Sequence, residues 1–175
     1  AQLSLLSELA GSEKWTKSGP GQLALGDTTN PFTGGFKVTE GVLVHSTFES
    51  SAPAPGTLRA SGAEPADVVP DYVVLDGGTI KYNNAGAGGT FLSNRKGITV
   101  TPNGGGLALD SLAVNAEGYN TTIHNYFGKV SAPDGGILYK RGKGEIRPNK
   151  QAAADDGVWD HTQLVVEEGL YRVGN

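Results

Sequence analysis

The sequence predicts an all-β chain of short strands turned at glycine corners. That pattern suits a solenoid or a sandwich better than an α/β fold. Three observations carry this expectation. Glycine, at 27 of 175 residues, is about twice as common as in ordinary globular chains. Many of these glycines open a short stretch whose apolar residues alternate at spacing two, which is the strand period. Elsewhere Gly and Pro recur too often for a long helix.

The elements follow in chain order. Residues 3–9 (LSLLSEL) fit either one or two turns of a capping helix or an alternating strand. Alternating stretches then follow glycine at 21–25 (GQLAL), 41–44 (GVLV), 56–58 (GTL), 78–82 (GTIKY) and 89–92 (GTFL). They return at 97–100 (GITV), 106–109 (GLAL), 136–139 (GILY), 144–146 (GEI) and 169–173 (GLYRV). Glycine at each entry permits a tight corner.

Composition excludes several classes. A formal charge of −4 gives no basic footprint for nucleic acid. No apolar run approaches the length of a membrane span. The absence of Cys removes disulfides and thiolate chemistry, and the absence of Met suggests a chain processed or excised from something longer. Ala1-Gln2 would suit a mature end left by a signal peptidase. Lacking both oxidisable residues fits a secreted or surface-exposed bacterial protein. The length fits one domain, residues 1–175.

The chain also repeats itself. Lys140, Gly142 and Gly144 each stand 123 residues after Lys17, Gly19 and Gly21, and Leu138 and Ile146 match the apolar Trp15 and Leu23. Further on, 38–43 (VTEGVL) is echoed by 166–171 (VEEGLY) at an offset of 128, so five extra residues fall in the polar stretch 151–157. The unit 15–43 is thus echoed at 138–171, a register in an extended array.

Lys17-Ser-Gly19-Pro-Gly21-Gln-Leu23-Ala-Leu25, Asn30-Pro31-Phe32-Thr33-Gly34-Gly35 and Val38-Thr39-Glu40-Gly41-Val42-Leu43 together resemble the autotransporter-associated β-strand repeat. Pro31 and Phe32 stand where that family has Thr and Tyr; the second copy lacks the Asn-Thr-Tyr-Thr-Gly core, and Trp159 is expected to take its aromatic place. The linking motifs at 76–80, 89–100 and 104–107 are also similar to the family's inter-repeat segments. The resemblance implies a right-handed parallel β-solenoid (β-helix), secreted or displayed on a bacterial surface, without catalytic residues or cofactor. In that frame Gly19, Gly21, Gly41, Gly142, Gly144 and Gly169 are corners, and Leu23, Leu25, Leu43 and Ile146 are inward ladder positions. Phe32 is expected to pack beside its turn.

Glu40, Glu64, Asp67, Asp71, Asp76, Asp110, Asp155, Asp156, Glu167 and Glu168 lie mostly beside Gly or Pro and read as solvated turn acids. Asp155-Asp156 lacks the spacing of a calcium loop. His45, His124 and His161 have no partner at zinc-ligand spacing and read as surface or satisfied histidines. No Gly-x-Ser-x-Gly elbow or phosphate loop is present. Asn120 begins a glycosylation acceptor but reads as a corner residue, and Trp15 reads as core or ladder. Tyr119, Tyr126 and Phe127 read first as a stacked aromatic ladder, with a glycan-facing aromatic platform as the alternative.

The resulting expectation is a non-catalytic structural protein of the bacterial cell surface or extracellular matrix. It binds no cofactor or metal and stacks head-to-tail through its solenoid ends into a fibre. That idea starts from the chain beginning inside one repeat and stopping inside the next. The alternatives are an autotransporter passenger or adhesin, or a β-helix that binds or degrades a surface polysaccharide.

Overall fold

The computed structural model describes residues 1–26, 29–45, 49, 52–83, 89–110, 123–126, 128–148 and 159–172, of which 123–125, 159, 161 and 162 are described in backbone alone. Among these residues there is no helix. The strands are β1 (Gln2–Leu5), β2 (Trp15–Lys17), β3 (Gln22–Leu25), β4 (Phe36–Val38), β5 (Val42–His45), β6 (Val69–Leu75), β7 (Thr79–Asn83) and β8 (Gly89–Thr90). They continue as β9 (Lys96–Val100), β10 (Gly105–Asp110), β11 (Ile123–Tyr126), β12 (Val130–Arg141), β13 (Glu145–Pro148), β14 (Trp159–Val166) and β15 (Leu170–Tyr171). Residues 3–9 thus begin as strand. The stretch 56–58 is a turn instead, because Gly56 has φ 78° and Thr57 N–H donates to Ala54 O at 3.1 Å.

Every pair of named strands is parallel. One column runs β1, β3, β5, β7, β10, β12 and a second runs β2, β4, β6, β9, β12. The two are halves of one curled sheet because β12 is long enough to serve both. Its residues 130–131 pair with β9 and its residues 138–141 pair with β10, with a turn at Gly135 (φ 77°) between them. The β14 strand pairs with β12 through both halves. A separate four-stranded sheet stacks β8, β11, β13 and β15. The chain therefore returns to the same columns layer after layer, at intervals that vary from twenty residues (Leu3 to Leu23) to thirty-seven (Leu43 to Ile80).

Register produces ladders of like residues. Leu3, Leu23, Leu43, Ile80, Leu107, Lys140 and Val166 share one position; Trp15, Phe36, Val73, Ile98, Val130 and Trp159 share another. Between the end layers these side chains are buried or nearly so. Each fully buried aliphatic or aromatic side chain contributes about 1.5–3 kcal/mol, and a single layer cannot bury its face alone. Trp15, read from the sequence as core or ladder, holds a ladder position and is 41 % exposed because its layer is an outer one, with Phe36 of β4 its registered neighbour.

The Asn30-Pro31-Phe32-Thr33 segment is a stitch between layers. Asn30 Oδ1 accepts from Leu9 N–H at 2.8 Å, and Asn30 Nδ2 donates to Ala60 O at 2.8 Å. Phe32 is fully buried and meets Phe36 edge-on at 4.7 Å between ring centroids. Its backbone N–H donates to Leu9 O and its carbonyl accepts from Ala63 N–H. The excursion between β5 and β6 is thereby folded over the layer before it.

Candidate functional site

Two kinds of buried polar arrangement stand out, and both centre on lysine. The first lies under the excursion between β5 and β6. Lys96, at the start of β9, has a side chain with no exposed surface, and neither do Glu49 and Glu64. Lys96 Nζ lies 3.1 and 3.3 Å from Glu49 Oε1 and Oε2 and donates to Ser61 Oγ at 2.8 Å and Gly62 O at 3.1 Å. Ser61 Oγ donates to Glu49 Oε1. Ser93 binds both acids: its N–H donates to Glu49 Oε2 at 2.9 Å and its Oγ to Glu64 Oε1 at 2.8 Å. Glu64 Oε2 is 3.8 Å from Lys96 Nζ, and Arg95 Nη1 is 3.8 Å from Glu64 Oε1. The Tyr72 ring lies under the ammonium at 5.3 Å, and its hydroxyl donates to Ser61 O at 2.8 Å.

Burial sets the protonation pattern. It pushes the Glu64 carboxyl above the usual range, against the Ser93 hydrogen bond and the Lys96 charge. It likewise raises Tyr72 and Tyr126. Next to the cluster His45 is buried, with neither ring nitrogen hydrogen-bonded among the described residues. Its ring packs on Tyr82 and Phe91 at 5.2 and 5.1 Å, and burial lowers its pKa to about 4. His45 is therefore a neutral core residue rather than a surface or satisfied one, and Glu64 is an interior acid rather than a solvated turn acid. The cluster's acids and lysine are closed to solvent, so a polymeric substrate has no access to them.

The second arrangement occurs twice. Lys17 Nζ donates to the carbonyls of Ser18 (3.0 Å), Gly19 (2.6 Å) and, one layer on, Glu40 (3.0 Å). Lys140 Nζ donates to those of Arg141 (2.8 Å), Gly142 (2.5 Å) and Glu168 (2.9 Å). In each case the next layer's glycine lies over the lysine with positive φ, 67° at Gly41 and 79° at Gly169. A Cβ on Gly41 would collide with the carbonyls of Gly19 and Gly21 and the Lys17 ammonium. One on Gly169 would meet Gly142, Gly144 and Lys140 in the same way. The two corners are not equivalent in the stack. Lys17 leads from β2 into β3, between the halves of the curled sheet; Lys140 leads from β12 into β13, between that sheet and the four-stranded one. Burial lowers the Lys140 pKa to about 8.

The remaining sequence-derived positions can now be placed. Gly19, Gly21, Gly142 and Gly144 sit at these corners; Leu25, Leu43 and Ile146 are buried, and Leu23 is half-buried against the core. Tyr126 does not face a glycan: it is 1 % exposed, and its hydroxyl donates to Lys96 O at 2.8 Å and Lys129 O at 3.1 Å. Tyr119, Phe127, Asn120, Asp155 and Asp156 lie outside the described residues, and only the backbone is described at His124 and His161.

Several acids read from the sequence as turn residues bind cations across layers, and Asp71 and Asp110 lie in strands β6 and β10 rather than in turns. Asp71 pairs with Lys14, Asp110 with Lys81 and Glu167 with Arg141. Asp76 Oδ2 takes Lys37 Nζ at 2.8 Å while Oδ1 accepts from Thr101 Oγ1 and Asn103 Nδ2. The Lys37 hydrogen bond, helped by the other two, holds Asp76 down at about 2.

Among the described residues no group of three or more His, Asp or Glu is placed to hold a metal ion, and no helix is long and apolar enough to cross a membrane. No family model, no curated protein and no solved structure matches this chain.

Proposed function

We propose that the chain is a non-catalytic structural module of a bacterial cell surface or extracellular matrix. In this reading the curled parallel sheet is a right-handed β-solenoid whose ends stack head-to-tail on further layers to build a fibre. The observation that carries the reading is the state of the two outer layers. Leu3 and Leu6 are 62 % and 78 % exposed beside Trp15 at one end, and Val166 and Leu170 are 46 % and 37 % exposed at the other. Leu3 and Val166 hold the same ladder position, as the register partners of Leu23 and of Lys140. The strand edges above β1 and beyond β14 close the same column of the sheet, so one end offers a template for the other. A shallow groove of about 410 Å³ between residues 1–3 and 16–23 supplies room at the first layer. Open strand edges pair readily, and a contact between unlike ends generates a filament rather than a closed ring.

The test is assembly of the purified chain. Sedimentation and negative-stain microscopy across a concentration series are expected to show rods lengthening into fibres with a strand repeat of about 4.8 Å along the axis. Leu3→Lys combined with Val166→Lys is expected to stop that growth while leaving the circular-dichroism spectrum unchanged. Monodisperse particles at every concentration would defeat the fibre reading.

A further inference from the structure

We propose that Lys96 and Glu49 become joined after folding by an intramolecular amide bond between Lys96 Nζ and Glu49 Cδ, formed with loss of one water. The geometry is that of a condensation held at its starting line. The ammonium lies 3.1 and 3.3 Å from the two carboxylate oxygens, and both side chains are sealed from solvent. Held in one pocket, the two groups meet without the entropy cost of finding each other, and attack needs only that Nζ turn from the edge of the carboxylate to its face. Reversal needs water to re-enter a site whose reacting side chains have no exposed surface.

The surroundings supply what the step requires. Within the ion pair one ammonium proton passes to Glu49 Oε1. The freed Nζ lone pair adds to Cδ, and negative charge collects on Oε2. Ser93 N–H already points at that oxygen at 2.9 Å, so it stabilises the tetrahedral species as it forms. Glu64 lies 3.8 Å from Nζ, and its burial favours the protonated acid. Its Oε2, without a hydrogen bond among the described residues, closes to hydrogen-bond distance to deliver its proton to the departing Oε1 hydroxyl and recovers one from the nitrogen. The C–Oε1 bond breaks, water leaves and Glu64 ends as it began. No oxidant or activating group is consumed.

The product suits the site better than the ion pair does. A buried ion pair carries a desolvation penalty that a neutral amide does not. Oε2 becomes the amide carbonyl and keeps the Ser93 N–H; the amide N–H keeps Gly62 O, 3.1 Å from Nζ, as its acceptor. The bond would clamp the excursion that carries Glu49 to the strand that begins with Lys96.

Intact mass spectrometry of the purified, fully denatured chain tests this directly. The expected mass is one water below that of the sequence, with a tryptic map showing the Glu49 and Lys96 peptides as one branched species. Glu64→Gln removes the proton relay and is expected to slow conversion of newly folded chain by about 10²-fold or more. A full sequence mass in the wild-type chain overturns the proposal. So does a water loss that persists in Lys96→Arg, which would place the loss elsewhere, as at an Asp-Gly step. The wild-type mass and peptide map decide the matter even where a variant fails to fold.

Discussion

Lys96 and Lys140 are equally buried and keep different company. Lys140, like Lys17, gives its protons to neutral carbonyls of its own corner and of the next layer's turn. Lys96 faces two carboxylates brought from the excursion between β5 and β6. The difference is one of sequence distance. The corner lysine finds two of its three acceptors within two residues, so the local chain dictates its place. Lys96 finds its partners 47 and 32 residues away, and only the closed fold delivers them. A corner lysine acts as a cap that any corner can use, which is why the same device serves two different corners. The Lys96 cluster acts as a latch that occurs once among the described residues.

The comparison makes its largest prediction at the latch. Lys96→Met strands two buried acids and is expected to cost about 3–5 kcal/mol in denaturant unfolding, measured against chain that still carries the Lys96–Glu49 ion pair. Adding Glu49→Gln to it should recover part of that loss, because one buried charge is then removed. An equal cost for Lys96→Met and Lys140→Met would break the distinction between latch and cap.

The second effect is acid sensitivity beside the latch. The His45 pKa falls to about 4 on folding from an ordinary 6.5, so the unfolded chain binds more protons between those values. Stability therefore falls as pH drops from 6.5 toward 4, by up to about 3 kcal/mol at 1.4 kcal/mol per pH unit. Thermal melts across that window are expected to show the slope, and His45→Leu is expected to flatten it.

A corner cap comes third. Lys140→Met leaves the carbonyls of Arg141, Gly142 and Glu168 without their side-chain donor, at about 1–3 kcal/mol. With the Lys140 pKa lowered to about 8, the unfolded chain holds the proton longer. Stability contributed by this group rises as pH climbs from about 8 toward the ordinary lysine value near 10.4, and the variant should lose that rise. The smallest effect belongs to the surface clamp at Asp76. Asp76→Asn is expected to cost about 1 kcal/mol or less in the same unfolding assay. The wild-type clamp persists in acid until pH approaches 2, where its carboxyl finally protonates.

Much of the strand pattern could be read from the chain, but unevenly. Strands that follow a corner glycine, such as β3, β5, β7, β10 and β13, carry visible period-two alternation. The strands that precede the corners, β2, β4 and β6, do not; three residues such as Phe36-Lys37-Val38 are too few to show a period. Asn30-Pro31-Phe32 drew attention as a motif, yet its use as a stitch to Leu9 and Ala60 depends on layers on either side. Tyr126 stood among polar residues in sequence and still proved internal, because its ring enters the stack and its hydroxyl finds Lys96 O. Glu64, flanked by Ala and Pro, had every mark of a turn acid. Nothing within ten residues of it announces Lys96 or Ser93.

The sequence by itself determined the all-β character and the glycine corners. Those are settled by backbone freedom and by contacts that begin within a few residues. The tertiary structure alone decided which strands pair in parallel with which, that two lysine caps serve different corners, and that Glu49, Glu64 and Lys96 share one dry pocket. Parallel pairing joins residues twenty or more positions apart. Which layer a residue joins therefore depends on the lengths of the excursions between strands, and no local pattern records them.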